Sequence, residues 1–288
     1  QSWKSFQLWA DQPNQQIPPI APTVSGLIYQ LFDRLESDHG MYLTAAALAY
    51  ITLARHGVSV TELQELLSLE DKVLADSYQW WVPPVRIIPP LLPTRLLSDL
   101  SDYLSRRGDG SGVQLVCWYH RQFWETAEGT YVPDDHTRVQ RHSEMVDYFS
   151  GKWAGVEKPY NKWLSERVQR PEFFPGEIAG DRRVPQQKLV LLGTLGLPGS
   201  RVNVRRVREL VHHLINAGHG EAAWKELTSM EYITAKFEAG AGNTLLGELA
   251  RARTKFPEYT TDLEQVKSFI GRRLDRLLRP AAPNAVFQ

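Results

Sequence analysis

Apolar positions in the first third of the chain recur with the period of a helix. Val24, Leu27, Ile28, Leu31 and Leu35 stand at i, i+3, i+4, i+7 and i+11, one stripe of a helix that His39-Gly40 ends. An Ala- and Leu-rich run from Met41 to Arg55 predicts a second helix, closed by Gly57 in a left-handed conformation. Ser59, followed three places later by Glu62, forms a capping box, so a shorter helix starts near Val60 and carries Leu63, Leu66 and Leu67. A helix, a short Gly-containing turn and a second amphipathic helix have the spacing of a helix-turn-helix.

The segment from Trp80 to Pro93 holds five prolines, which exclude a helix interior or a central strand. Trp80, Trp81 and the Ile87-Ile88 to Leu91-Leu92 stretch therefore form an apolar loop expected to lie on the core rather than present a docking patch. Leu92, Leu96, Leu97, Leu100, Tyr103 and Leu104 restore the helical period and predict a third helix ending at Arg106-Arg107-Gly108. A glycine-rich turn follows, and Val113 to Tyr119 is the best strand pattern in the sequence. Three helices and then a strand beside a glycine turn is the order of a winged helix.

Helices are expected from His120 to about Tyr131 and from an Asp134 cap through Val139, Met145 and Phe149. Residues 150–185 are irregular, with four prolines and a short helix expected near Lys162 to Gln169. The last third is helical again: Val204, Val207, Val211, Leu214 and Ile215 form a stripe ended by Ala217-Gly218. A short helix follows at Glu221 to Leu227, then helices at Ile233 to Phe237, Asn243 to Arg253 and Asp262 to Leu278. The fold expected is mainly α, a winged-helix domain with a small β wing (24–132) followed by an α-helical array (133–280). A Pro- and Gln-rich linker (1–23), in which Trp3 and Trp9 are the large apolar exceptions, precedes it, and a short tail (281–288) follows.

Charge narrows the function. The 33 basic residues equal the 33 acidic ones, so no global field draws in nucleic acid or anionic membrane. The single Cys117 forms no internal disulfide and suits a reducing compartment, no apolar run is long enough to span a bilayer, and the default localisation is cytoplasmic. The 288 residues begin without an initiator Met, so the chain is expected to be a processed form or part of a longer protein.

The sequence carries no phosphate-binding loop. Around Gly151-Lys152, Trp153 takes the hydroxyl position and Val146 stands where the first glycine belongs. Cys117 and His120 could be drawn as a thiol and its base, but a small buried thiol is the simpler reading. His212, His213 and His219 with Glu209 could be drawn as a metal site. Adjacent helical residues diverge by about 100°, however, so no metal is expected. A DNA-reading role for the third helix is opposed by Asp99 and Asp102 beside Arg95, with Asp109 at the wing tip. Two basic stretches, Arg201, Arg205, Arg206 and Arg208, and Arg251, Arg253 and Lys255 with Arg272, Arg273, Arg276 and Arg279, read as solvated helix faces, with an RNA or acidic-protein surface as the alternative.

Three stretches resemble one known family. Leu31 to Gly40 with Gly57 to Leu67 is similar to the opening of the winged helix that follows the NTPase core in STAND proteins of the NACHT and WD-repeat group. Trp118-Tyr119-His120-Arg121-Gln122-Phe123 is similar to its post-wing helix. Glu209 to Gly218, with Leu227 and Ala235-Lys236-Phe237, resembles the helical linker before the WD repeats. In that family a His at the start of the post-wing helix contacts the β-phosphate of ADP on the neighbouring NTPase, and His120 matches it; the alternative is that His120 only caps or packs its helix.

The resemblance implies a non-catalytic regulatory segment of a signal-transduction ATPase. It would stabilise the ADP-bound closed state and couple the NTPase to C-terminal sensor repeats. ADP or ATP is expected on the upstream NTPase and no cofactor within this chain. The partners implied are that NACHT NTPase, the downstream WD repeats, and protein partners or further copies of the chain. A stand-alone protein-interaction or nucleic-acid-binding winged-helix module is the competing class.

Overall fold

The computed structural model describes residues 20–77, 87–156, 158–159 and 184–277. Trp3, Trp9, Trp80, Trp81, the helix expected near Lys162 to Gln169 and the tail lie outside the described residues.

Helix α1 (Val24–His39) begins at a Thr23 cap and buries Ile28, Phe32 and Leu35. It ends at Gly40, whose φ of 94° turns the chain directly into α2 (Met41–Leu53). Almost every residue of α2 from Leu43 onward is buried, so it has no solvent face and forms the central rod. The expected capping box of α3 (Val60–Ser68) is present in full: Ser59 Oγ accepts from Glu62 N–H, and Glu62 Oε2 accepts from Ser59 N–H. Gly57 has the expected positive φ of 93° but does not close α2, which stops at Leu53 with Ala54 as its cap. Its conformation serves a close approach instead: Val58 bridges Val116, and a Cβ on Gly57 would stand 2.5 Å from Val116 O.

The third expected helix is divided. After a short α4 (Asp71–Ser77), α5 covers only Leu91–Asp99, and Leu104–Gly108 is strand β1. It pairs antiparallel with β2 (Gln114–Trp118) in the register Leu104↔Trp118 to Gly108↔Gln114. The helical period of Leu100, Tyr103 and Leu104 yields because the strand ladder satisfies the backbone of 104–108 at a distance of sequence that periodicity does not register. In the proline-rich segment, Ile88 is buried as expected for a loop on the core, whereas Leu91 is 62% exposed.

Helix α6 (Arg121–Tyr131) has His120 as its N-cap, and α7 (Asp135–Ser150) starts from Asp134, whose side chain accepts from Thr137 N–H. Trp118 Nε1 donates to Thr52 Oγ1 at 2.9 Å and Trp124 Nε1 to Thr52 O at 2.8 Å, fastening the hairpin and α6 to α2. A second small hairpin, β3 (Val190–Leu192) with β4 (Arg201–Val202), leads into α8 (Val204–Ala217), which ends as expected at left-handed Gly218. The array continues with α9 (Gly220–Thr228), α10 (Met230–Glu238), α11 (Gly242–Lys255) and α12 (Thr260–Leu277). One hydrophobic cluster runs from Ile28 to Ile270, so the helices after residue 132 share a core with those before it. Among the described residues, no helix is long and apolar enough to cross a membrane.

Candidate functional site

The turn after α2 meets β1, the end of β2 and the start of α6 around an open cleft of about 470 Å³. Its lining includes Arg55, His56, Arg107, His120, Arg121 and Arg208, against a single carboxylate among the described residues, Asp109. His120 reaches it because β2 ends and α6 begins at that residue, and its ring is exposed. Its Nδ1 lies 3.5 Å from Gln122 N and accepts from it, so the neutral ring carries its proton on Nε2. An N–H donor at the N-terminus of a helix is thereby left for an anion.

The surrounding charges are compensated unevenly. Arg121 pairs with Glu125 on the exposed face of α6. Arg208 meets only carbonyl oxygens among its described contacts, Asp109 O at 2.9 Å and Ala239 O at 3.3 Å, which leave its charge intact. The Asp109 carboxylate is turned onto the wing turn. Burial there raises its pKa, but bonds from the Ser111 hydroxyl and the Ser111 and Val113 amides outweigh this and hold it below the usual carboxylate range. Cys117 lines the same cleft, but its Sγ lies 3.8 Å from Ser105 O while His120 is engaged with Gln122, so the two do not form a nucleophile and base pair.

Behind the cleft lies a buried ionic network. Arg205 Nε and Nη2 take both oxygens of Glu62, at 2.7 and 3.1 Å, while Nη2 also donates to Gly57 O at 2.8 Å and Nη1 to Glu209 Oε1 at 3.2 Å. Glu209 is fully buried and accepts from the backbone N–H groups of Arg55 and His56 at 2.9 and 3.1 Å. Burial alone would raise its pKa, yet His213, His56 and Arg205 together hold it well below the ordinary carboxylate value. Arg55 also ion-pairs with Glu248, and Lys236 Nζ reaches the same carboxylate at 2.7 Å. The network joins the α2–α3 turn to α8, α10 and α11, and so links the first group of helices to the array.

This placement corrects the reading of the first basic stretch. Arg205 is 7% exposed and salt-bridged, and Arg206 pairs with Glu226, so these cations act as internal ties rather than as a solvated face. Asp99 on α5, one of the carboxylates expected to oppose a DNA-reading role, is paired with His39 at 2.7 Å. The side chains of Arg273, Arg276 and Arg279 lie outside the described residues.

The histidines group differently from their sequence positions. His219 turns to Ser143, 3.3 Å away, whereas His142 of α7 comes in between His212 and His213 of α8. One ligand nitrogen of each of His142, His212 and His213 falls within 4.8 Å of the others. The divergence of adjacent residues on α8 leaves the His212 and His213 rings edge-on with centroids 5.0 Å apart, and a third imidazole from another helix closes the set. Burial, and then the neighbouring imidazoles, push His142 down to about 2 and His212 down to about 3. Nothing in the spacing of His142 marks it, because it is brought to α8 only by the packing of α7.

Fold and site together define a mainly α chain, cross-tied by buried ion pairs, with a cationic cleft open at the start of the post-hairpin helix. The chain is 37% identical over 235 residues to NACHT domain- and WD repeat-containing protein 1 of Homo sapiens, covering 80% of this chain, and 34% identical to that of Mus musculus. It is 31% identical over 232 residues, 75% of the chain, to NACHT and WD repeat domain-containing protein 2 of Homo sapiens. These matches take up 14% and 13% of the two human relatives, so the chain spans about one seventh of their length. Over that shared segment the chain belongs to the NACHT and WD repeat-containing family. No family model and no solved structure matches it.

Proposed function

We propose that the chain is a non-catalytic regulatory segment of a NACHT-type signal-transduction ATPase, in which residues 24–132 act as a winged helix against the NTPase. His120 would donate from Nε2 to a phosphate of ADP held on that NTPase and stabilise the closed state. The array of residues 133–280 would couple the latch to C-terminal sensor repeats. The observation that carries this reading is the exposed His120 ring, its Nδ1 occupied and its Nε2–H free, at the rim of a cleft that also presents Arg55, Arg107, Arg121 and Arg208. A helix N-terminus and several guanidinium groups around one donor suit a polyphosphate. The three-helix and hairpin order, with Val58 bridged to Val116, supports the winged-helix reading. The buried network behind the cleft would supply the coupling, since Gly57 O is bonded to Arg205 on α8 and Arg55 is paired with Glu248 on α11, so a shift at the α2–α3 turn would be passed to both helices.

Calorimetry of ADP binding by a chain extended to include its NTPase, with His120→Ala beside the parent, tests the latch. The expected loss is about 1–3 kcal/mol, the range of a hydrogen bond to a charged group. Unchanged affinity in a folded variant would overturn it. The same cleft could instead take a nucleic acid backbone. That reading requires binding of single-stranded RNA or duplex DNA that falls steeply with salt, whereas a docking scaffold shows no such slope.

A further inference from the structure

We propose that His142, His212 and His213 form a zinc site that clamps α7 to α8, separate from the His120 cleft and independent of the latch. The geometry supplies what such a site requires. Three imidazoles, two of them from one helix and one from the helix packed against it, bring one nitrogen each within 4.8 Å of the others. His142 Nδ1 and His213 Nδ1 face each other at 2.7 Å, so both rings turn the same nitrogen toward a common point. His142 is 3% exposed and His213 fully buried, while His212 is half-buried and leaves the side toward solvent accessible for entry and for a water as fourth ligand.

Metal-free, this arrangement is imperfectly satisfied. The two facing Nδ1 atoms are satisfied by one shared proton, but His213 Nε2, buried 3.3 Å from Glu209 Oε2, completes no hydrogen bond. A cation held by both Nδ1 atoms replaces their shared proton and requires the rings to part from 2.7 Å, because zinc nitrogens at about 2.0–2.1 Å and a tetrahedral angle stand further apart; His213 then carries its proton on Nε2, on the side of the Glu209 carboxylate. A metal-bound imidazole backed by a carboxylate in this way has its tautomer and ring orientation fixed. Glu209 is itself held by the Arg55 and His56 amides, and the His213 ring lies parallel to Phe149 at 5.9 Å, so the ligand is pre-oriented. An all-imidazole set with one open position favours zinc over magnesium or calcium, which take oxygen. Two groups oppose it at the His212 ring: Arg251 Nη1 stands 3.5 Å from Nδ1, and Asn216 Nδ2 stands 3.5 Å from Nδ1 and 3.2 Å from Nε2, so that side chain must turn aside for the ion.

Zn²⁺ titrated into the purified, metal-stripped chain, followed by calorimetry and by thermal unfolding, tests the site. The parent is expected to bind one Zn²⁺ and to unfold at a higher temperature in its presence. His142→Ala and the half-buried His212→Ala should each weaken binding at least tenfold and abolish the thermal shift, and Arg251→Ala should tighten it by removing the nearby charge. No Zn²⁺ binding by the folded parent would overturn the proposal. So would binding that survives His212→Ala at parental strength, which would place the ion on other histidines. Should His142→Ala fail to fold, the parent and His212→Ala decide between these outcomes.

Discussion

Arg205→Ala removes the centre of the buried network, and the structure sets the size of the loss. The guanidinium meets both oxygens of Glu62, one of Glu209 and the carbonyl of Gly57, and it is 7% exposed. Truncation leaves two buried carboxylates short of a cation. Breaking one buried pair in this way costs about 3–5 kcal/mol, because the remaining charge stays desolvated without its partner. Each carboxylate retains some relief: Glu62 keeps the Ser59 amide, and Glu209 keeps the Arg55 and His56 amides. The expected loss is therefore about 4 kcal/mol, set against a total stability of about 5–15 kcal/mol for an ordinary domain. Urea unfolding with the slope held in common reads it as a fall in midpoint. Arg205→Lys should lose less, since an ammonium keeps the charge but not the paired geometry. A cycle with Glu62→Gln should show a coupling of about 1–3 kcal/mol. A loss under about 1 kcal/mol for Arg205→Ala would refute the claim that these ion pairs tie the two groups of helices together.

Gly57→Ala places a Cβ 2.5 Å from Val116 O at a φ of 93°, and should cost about 1–3 kcal/mol by thermal unfolding while weakening the Val58–Val116 bridge. Asp109, held below its ordinary value, lends the wing turn stability that is fully present above the unfolded value of about 3.9 and is lost as pH falls through its lower folded value. The protection of the Ser111 and Val113 amides against exchange, relative to their intrinsic rates at each pH, should fall across that acid window and stay level between pH 5 and 7. His120→Ala, which removes an exposed ring and the N-cap bond to Gln122, should cost at most about 1 kcal/mol of stability by urea unfolding while weakening ADP binding to the NTPase-containing chain, and the Zn²⁺ titration separates α7–α8 clamping from that effect.

The helices were legible where their stabilisation is local. The stripe of α8, the Ser59–Glu62 box, the Asp134 cap and the Gly40 and Gly218 ends are interactions among residues four or fewer apart, so spacing and residue type suffice to find them. His120 was legible through its place between a strand pattern and a helix, together with the family resemblance. Strand β1 was not, because its ladder partners lie six to fourteen positions away, and Leu104 fits a helical stripe as well as a ladder.

What only the tertiary structure decided was the destination of charge. Glu62 reads as a cap and Arg205 as one of a run of surface cations, yet they meet 143 positions apart in the core. His142 has no metal-like spacing, and it joins His213 only because α7 lies along α8. Sequence alone determined most of the helices and the family segment, since periodicity and caps act within a few residues and the relatives align over 75–80% of the chain, whereas β1, the short α4 and the β3–β4 hairpin were not legible in it. The burial of ion pairs, the convergence of imidazoles and the lining of the cleft depend on which helix faces meet. That is set by packing summed over the whole core.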